Sequence, residues 1–406
     1  MRGSAAGAGR ADGAWDDGPV TTFSFDDLRR FPDVEAVNLV AADATDRLIL
    51  DEAAADLATA PAGTVCVVGD RYGALTLGAV ALHGVTGVRT HQDRLVGEQA
   101  LTANAERLGL SGTFTTHLLD DGALAGARVV LWQLPASLDE LDEVAEAIAT
   151  HAHPEVRVYA GGRVKHMTHG MNDVLGRWFS DVQARLARQK SRVLVAAAPR
   201  PAGDRPAPDW PAAERHDDLG LTVLAHGGVF AGTGVDIGTR FLLASEDQMA
   251  PAAETALDLG CGTGVLAVSL AQARPALRVT ATDESAAAVA SARATAEANG
   301  VADRVTVARD VAAAGVPDAS VDLVVLNPPF HVGTTVHSGI ARRLFADAAR
   351  VLRPGGELWV VWNSHLQYRP VLTTLVGPTR QADRNAKFTV TVSTKAVSTK
   401  AVSTKA

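Results

Sequence analysis

Apolar and polar positions alternate in blocks along the second half of the chain. The short apolar runs TALDLG, LRVTATD, RVTVARD, VDLVVLN and ELWVVWN predict strands. Between them lie stretches with helical spacing: GVLAVSLAQA after a glycine turn, the alanine-rich SAAAVASARATAEANG closed by Gly300, and IARRLFADAARVL ended by RPGG. Strand–helix alternation predicts an α/β fold, a parallel sheet with helices on both faces.

The first half repeats this order. Setting TVCVVGDRYGAL on ALDLGCGTGVL pairs Gly69 with Gly260 and Gly73 with Gly264, and the same offset pairs Val88 with Val279 and Gly109 with Gly300. A three-residue shift then sets RVVLWQLP on DLVVLNPP. Order and spacing held over this length imply a duplication.

Between the copies, Ala198 to Glu214 contains Pro199, Pro201, Pro206, Pro208 and Pro211. Such density disfavours helix and sheet and predicts an extended linker. The expected organisation is a disordered lead over 1–20, a first domain over 21–198, a linker over 199–218, a second domain over 219–395 and a low-complexity tail over 396–406. The tail falls within three VSTKA repeats, Val392 to Ala406.

The 406 residues are 47% hydrophobic, enough for two cores, and the net charge of −8 excludes a chain coated in basic residues. It leaves room for a local basic patch. Two cysteines, Cys66 and Cys261, exclude a disulfide scaffold, a four-cysteine zinc site and an iron–sulfur cluster. His226, His331, His337 and His365 show no metal-ligand spacing, and no metal is expected; of these only His331 directly follows the Asn327-Pro328-Pro329-Phe330 stretch. No apolar run is long enough for a membrane helix and the start lacks a signal-peptide core, so a cytoplasmic location is expected. The sequence gives no oligomeric state.

Three motifs carry chemistry. In Asp258-Leu-Gly260-Cys-Gly262-Thr-Gly264, a strand runs into a glycine-rich turn and then a helix, so backbone can approach a ligand closely and free N–H groups meet it. Asp283 ends the next strand, where an acid can accept both hydroxyls of a ribose. Both features suit NAD or S-adenosylmethionine. Two details favour the latter: Asp258 is placed to anchor a cationic amine, and the glycine spacing is not Gly-x-Gly-x-x-Gly. Asp310, ending the third strand, is placed to approach an adenine amino group. Asn327-Pro328-Pro329-Phe330 then follows the fourth strand. The prolines fix an extended turn that aims the Asn327 carbonyl and a backbone carbonyl at one amino group, and Phe330 offers a face to a planar base. This suits methylation of an exocyclic or amide nitrogen and serves hydride transfer poorly.

On these residues the second half resembles the small-domain class I S-adenosylmethionine-dependent methyltransferases. More closely, the chain resembles the bacterial rRNA guanine-N2 methyltransferases of the small and large ribosomal subunits. The resemblance runs from Phe23 to Val392. It rests on GVFAGTGVDIGTRFLL, LDLGCGTGVL, NPPFH, GGELWVVWNSHLQY and NAKFTV in the second half, and on VVGDRYGAL, QLPASLDELDE, GGRVKHMTHGMNDVLGRWF and ARQKSRVL in the first. QLPASLDELDE and ARQKSRVL bring it nearer to the large-subunit branch. The resemblance implies two tandem Rossmann-like domains, the first degenerate. It implies S-adenosylmethionine bound by Asp258, Gly260, Gly262, Gly264, Asp283 and more weakly Asp310, and a flipped guanine held by Asn327, Pro328, Pro329 and Phe330. It also implies that GVFAGTGVDIGTRFLL forms a strand pair and helix beside the cofactor. The implied substrate is ribosomal RNA or a ribosomal subunit, without membrane. The alternatives are a methyltransferase on DNA adenine or protein glutamine, and a non-catalytic RNA-binding factor.

In the first copy each chemical position has changed. Val67 stands for Asp258, Arg71 for Gly262 and Gln92 for Asp283, with Asp93 adjacent as a partial substitute, and the turn reads Gln133-Leu134-Pro135-Ala136. The first half is therefore expected not to methylate. Its segment from Glu155 to Arg200 is locally basic, and Arg163, Lys165, Arg177, Arg185, Arg188, Lys190 and Arg192 are candidate RNA contacts.

Overall fold

The computed structural model describes residues 23–207, 209–329 and 334–396. The expected lead over 1–20, Pro208, Phe330, His331 and the tail from 397 onward lie outside the described residues.

In the first half the elements are Ala44–Leu57 (α1), Val65–Val68 (β1), Ala74–His83 (α2), Val88–His91 (β2), Leu95–Arg107 (α3), Phe114–His117 (β3) and Asp121–Leu124 (α4). Val129–Gln133 (β4), Leu138–His151 (α5), Arg157–Arg163 (β5), His169–Trp178 (α6), Phe179–Ala184 (β6) and Ser191–Pro199 (β7) complete it. A hairpin of Ala212–His216 (β8) and Leu221–Ala225 (β9) follows. In the second half come Ile237–Leu243 (α7), Thr255–Leu259 (β10), Val265–Ala273 (α8), Arg278–Asp283 (β11), Ala286–Ala298 (α9) and Val305–Arg309 (β12). Val321–Leu326 (β13), Thr334–Val351 (α10), Leu352–Asn363 (β14), Arg369–Leu375 (α11), Thr379–Arg384 (β15) and Phe388–Thr394 (β16) close it.

Each half builds a seven-stranded sheet, in the orders β3-β2-β1-β4-β5-β7-β6 and β12-β11-β10-β13-β14-β16-β15. The duplication extends to register. Cys66 faces Arg89 as Leu257 faces Thr280, and Val65 faces Val129 as Ala256 faces Leu323. Val88 faces Phe114 as Val279 faces Val305, so the three-residue difference falls after the third strand of each half. The sheets are not wholly parallel: in each, the penultimate strand in space, β7 or β16, runs antiparallel to both of its neighbours.

Strand alternation sorts the second core into two layers. Ala256, Leu323, Val325 and Trp359 pack with α7, α8 and α9, whereas Leu257, Val324, Leu326 and Leu358 pack with α10 and α11. Phe345 on α10 is fully buried, and its truncation to alanine would cost about 3–5 kcal/mol.

Two sequence expectations need correction. The proline-rich stretch is not free of sheet: β7 runs through Pro199 and β8 begins at Ala212, inside the expected linker. Pro199 is the last residue of β7 and pairs with Phe179 of the outer strand β6, beyond the last β5 pair at Arg157–Ala197, so its missing N–H is tolerated there. The strand pair placed in GVFAGTGVDIGTRFLL lies upstream as β8–β9; the block itself supplies turns and α7.

The halves meet at matching corners, and reciprocally. Leu95 N–H donates to Glu284 O at 2.8 Å, and Ala286 N–H donates to Asp93 O at 2.8 Å. Arg309 adds bonds to Glu98 Oε1 (2.7 Å) and to the carbonyls of Gln92 and Asp93 (both 2.8 Å). Gly227 sits against α5; a Cβ there would lie 2.3 Å from Asp139 O, so only glycine fits.

Candidate functional site

A cavity of about 410 Å³ opens at the carboxyl ends of β10, β11, β12 and β13, where open α/β sheets bind ligands. The glycine-rich turn after β10 forms its floor. Gly260 and Cys261 N–H groups donate to Thr282 O at 2.8 and 3.0 Å, fastening the turn to the end of β11. A Cβ at Gly260 or Gly262 would meet nothing within 4 Å, so the turn presents bare backbone to open space. Gly264 serves packing instead: its φ is +79° and a Cβ would press Ala292 of α9 at 3.0 Å.

Asp283 lines the cavity and organises the turn. Its Oδ2 accepts from Gly262 N at 3.0 Å and its Oδ1 from Ser285 N at 3.0 Å. Burial raises its pKa above the ordinary carboxylate value, against the lowering pull of these two donors. Asp310 also lines the cavity, with Oδ2 accepting from Gly315 N at 2.7 Å.

Asp258 does something other than expected. Its place before the glycines suggests a partner for a ligand's ammonium group, yet it does not line the cavity. Helix α8 starts at a glycine that has no side chain to cap it. The Asp258 carboxylate supplies the missing acceptor from below, taking Ala267 N–H at 3.0 Å. Its Oδ1 is buried without a partner, and burial, with the nearby charge of Asp283, pushes its pKa up to about 7.

Asn327 follows β13 and lines the cavity with Pro328 and Pro329. Its Nδ2 donates to Asp236 Oδ2 and to Thr239 Oγ1, both at 3.0 Å. A carboxylate only accepts, so this contact fixes which end of the amide is nitrogen. Asn327 Oδ1 is left buried with no hydrogen-bond partner. Asp236 and Thr239 also line the cavity. Asp236 caps α7, its Oδ2 accepting from Gly238 N (2.8 Å) and Thr239 N (3.2 Å).

Sequence reasoning missed Asp236 and Thr239. The signal available was an Asp at a helix start, which marks a cap and not a partner for Asn327. It also missed Phe230, which lines the cavity and is 61% exposed, and the first-half residues Asp33, Val34, Arg94 and Val96, which line it too.

The first half keeps the scaffold of this site without its chemistry. Gln92 Oε1 accepts from Arg71 N at 3.0 Å, as Asp283 accepts from Gly262. Gln133 Nε2 donates to Asp46 Oδ1, as Asn327 donates to Asp236. Asp70 takes Leu75 N (2.7 Å) and Thr76 N (2.8 Å) beneath α2, and burial pushes its pKa up to about 7. Asp93 does not replace the ribose acid. Its Oδ1 accepts from Ser285 Oγ and Ala287 N, both at 2.9 Å, at the start of α9 in the other half.

The basic segment is largely neutralised. Arg163 pairs with Asp43, Arg177 with Asp142, Arg185 with Glu52, and Arg188 with Asp51 and Glu52. Lys165, Lys190 and Arg192 form no ion pair among the described residues, and both lysines are exposed. The Val164 N–H bond to Lys190 O, 2.9 Å, brings the two lysine backbones together. No helix among the described residues is long and apolar enough to cross a membrane.

Two family models match the chain: the RLMG N-terminal domain over residues 20–200 and the methyltransferase small domain over residues 220–392. The ribosomal RNA large subunit methyltransferase G of Streptomyces coelicolor is 39% identical over 375 residues, covering 91% of this chain and 97% of that protein. The protein of the same name from Pseudomonas aeruginosa is 36% identical over 372 residues, covering 91% and 97%. Among solved structures, the Thermus thermophilus 16S rRNA N2 G1207 methyltransferase (RsmC), in complex with AdoMet and guanosine, matches with a TM-score of 0.69 at 24% identity. It covers 87% of this chain and 92% of that one, a likeness of fold across both halves.

Proposed function

Since the chain belongs to the ribosomal RNA large subunit methyltransferase G family, we propose that it transfers a methyl group from S-adenosylmethionine to the exocyclic 2-amino group of a guanine in large-subunit ribosomal RNA. The observation that carries this reading is Asn327 Oδ1, a buried acceptor oriented by Asp236 and lacking a partner in a cavity large enough for a cofactor.

The cavity fits S-adenosylmethionine. The bare turn at Gly260 and Gly262 accommodates close approach, Gly264 sets the helix start behind it, Asp283 offers lone pairs to a ribose diol, and Asp310 borders the adenine end. When bound, the cofactor supplies an electrophilic methyl group on a sulfonium. The chain's own residues position the acceptor. Asn327 Oδ1 takes one hydrogen of the target amine and a turn carbonyl takes the second, which leaves the nitrogen lone pair facing the methyl group. No covalent bond to the chain is needed, and positioning with exclusion of water carries the acceleration. A paired guanine cannot enter such a cavity, so the base arrives flipped or unpaired.

In this reading residues 219–395 are the catalytic unit and residues 21–198 a non-catalytic unit that docks RNA through Lys165, Lys190 and the half-buried Arg192, which form no ion pair among the described residues. In the same reading the protein works in the cytoplasm, where ribosomal RNA is its substrate. The test compares nucleoside digests of ribosomal RNA from cells with and without the gene, by mass spectrometry with site mapping. Loss of one N2-methylguanosine, restored by the wild-type protein and not by Asn327→Ala, is the expected result. A profile unchanged by the deletion would refute it and turn attention to DNA adenine or protein glutamine.

A further inference from the structure

The cavity is lined from both halves of the chain. Asp33, Val34, Arg94 and Val96 of the first half share it with Asp283, Glu284 and Asp310 of the second. Arg94 is held at both ends: its Nε donates to Glu284 Oε1 at 2.8 Å, and its NH1 lies 3.4 Å from Asp33 Oδ2. Asp33 is itself anchored, accepting from Tyr72 Oη at 2.7 Å and pairing with Arg30 at 3.3 Å. The reciprocal Leu95–Glu284 and Ala286–Asp93 backbone bonds fix the height of this corner against the second half. Glu284 directly follows Asp283, so the guanidinium stands at the ribose end of the cavity and away from Asn327. A planar, permanently charged guanidinium fixed in this way can lie against a purine face or donate to a ribose, and Val34 and Val96 add apolar wall.

We propose that the first half, though it does not methylate, is part of the cofactor site: Arg94, clamped between Asp33 and Glu284, closes the adenosine end with Val34 and Val96. This rests on the reading of the cavity as an S-adenosylmethionine site. It makes cofactor affinity a property of the joined chain, and it gives Asp33 and Arg94 a reason to be built at a cavity edge and not only at a domain joint.

The test measures equilibrium binding of S-adenosylmethionine and of 5′-methylthioadenosine, which keeps the adenosine and lacks the amino acid, to the full chain. Arg94→Ala is expected to weaken both ligands by the same factor, about tenfold. Val34→Trp, which fills the cavity from the first half without touching an ion pair, is expected to weaken both as well. Glu98→Ala removes an inter-half bond to Arg309 outside the cavity and is expected to leave both affinities unchanged. Wild-type binding by Arg94→Ala or Val34→Trp would overturn the proposal, as would a loss confined to S-adenosylmethionine. An equal loss in Glu98→Ala would also overturn it, by reducing the effect to domain docking. Asp283→Ala separates the two readings: if it too binds like the wild type, the cavity itself is not a cofactor site, whereas its loss beside an unaffected Arg94→Ala rejects only the first half's share.

Discussion

Asp236 Oδ2 accepts the Nδ2 hydrogen of Asn327 at 3.0 Å, across 91 positions of sequence. The bond decides which end of the Asn327 amide is left without a partner, the end that meets the target nitrogen in the proposed reaction. Asn327→Ala is expected to keep S-adenosylmethionine affinity and lower kcat on the order of 10²–10³-fold, the scale of losing one oriented acceptor in a catalytic site. Asp236→Ala is expected to lower kcat about tenfold or more with unchanged cofactor affinity, and to cost about 1 kcal/mol as a lost helix cap. Asp236→Asn retains one oxygen for the same contacts and is expected to restore most of the rate. Single-turnover kinetics on the rRNA substrate distinguish these outcomes; a rate for Asp236→Asn as low as for Asp236→Ala would remove the orienting role.

Asp283 accepts from the turn at Gly262 while facing the cavity, so its loss strikes ligand and loop together. Asp283→Ala is expected to weaken S-adenosylmethionine binding by about 10–100-fold, the range for a hydrogen bond to a charged group. Isothermal titration calorimetry reads this directly, and an affinity within about twofold of the wild type would contradict the assignment.

Buried Asp258 and Asp70 both have pKa values pushed up to about 7. Between the unfolded carboxylate value near 3.8 and about 7, the folded chain keeps protons that the unfolded chain has released. The stability linked to these groups is therefore complete below about pH 4 and is lost as pH rises through about 7. Urea midpoints are expected to fall between about pH 5 and pH 8. Asp258→Asn, which keeps an oxygen for Ala267 N–H, should remove a share of that fall on the order of 2–4 kcal/mol. An unchanged slope in this variant would mean that Asp258 is ionised throughout.

Lys165 and Lys190 are exposed and carry no ion pair among the described residues, whereas Arg188 is engaged by Asp51 and Glu52. Lys165→Glu with Lys190→Glu is expected to weaken binding to a large-subunit rRNA fragment. It should also flatten the log–log salt dependence by about 0.7–0.9 for each phosphate no longer neutralised. Arg188→Ala should change both less. Filter binding at several salt concentrations tests this, and equal effects of the two variants would argue for a diffuse field instead of a free lysine pair.

Local chemistry is legible in the sequence and long-range partnership is not. The turn at Gly260–Gly264, Asp283 at a strand end and Asn327 before two prolines all sit where the strand pattern puts them, because each is fixed by its own strand and the turn after it. The register of both sheets follows the alignment of the two copies, down to the three-residue shift. Asp258 departs from expectation because an acid before a glycine turn reads the same whether it faces a ligand or the underside of a helix; burial decides, and burial here belongs to α8. Asp93 departs for a related reason. Its nearest neighbours in sequence suggest a ribose acid, while its actual partners, Ser285 and Ala287, lie in the other copy. The net charge of a segment likewise says nothing about the acids that the fold brings against it from α1.

The reciprocal bonds between the Leu95–Asp93 corner and the Ala286–Glu284 corner carry a consequence for how such a chain can change. In a symmetric pair of separate subunits, one mutation strikes both sides of the joint at once. In a single chain it strikes one side and leaves its mirror position alone. The backbone bonds, which ask little of side-chain identity, persist on both sides. The side chains have diverged: Asp93 serves the start of α9, while its counterpart Glu284 holds Arg94. A tandem chain thus holds the same joint twice, in two independently editable copies, so the first half can change its side chains without loosening its backbone grip on the second.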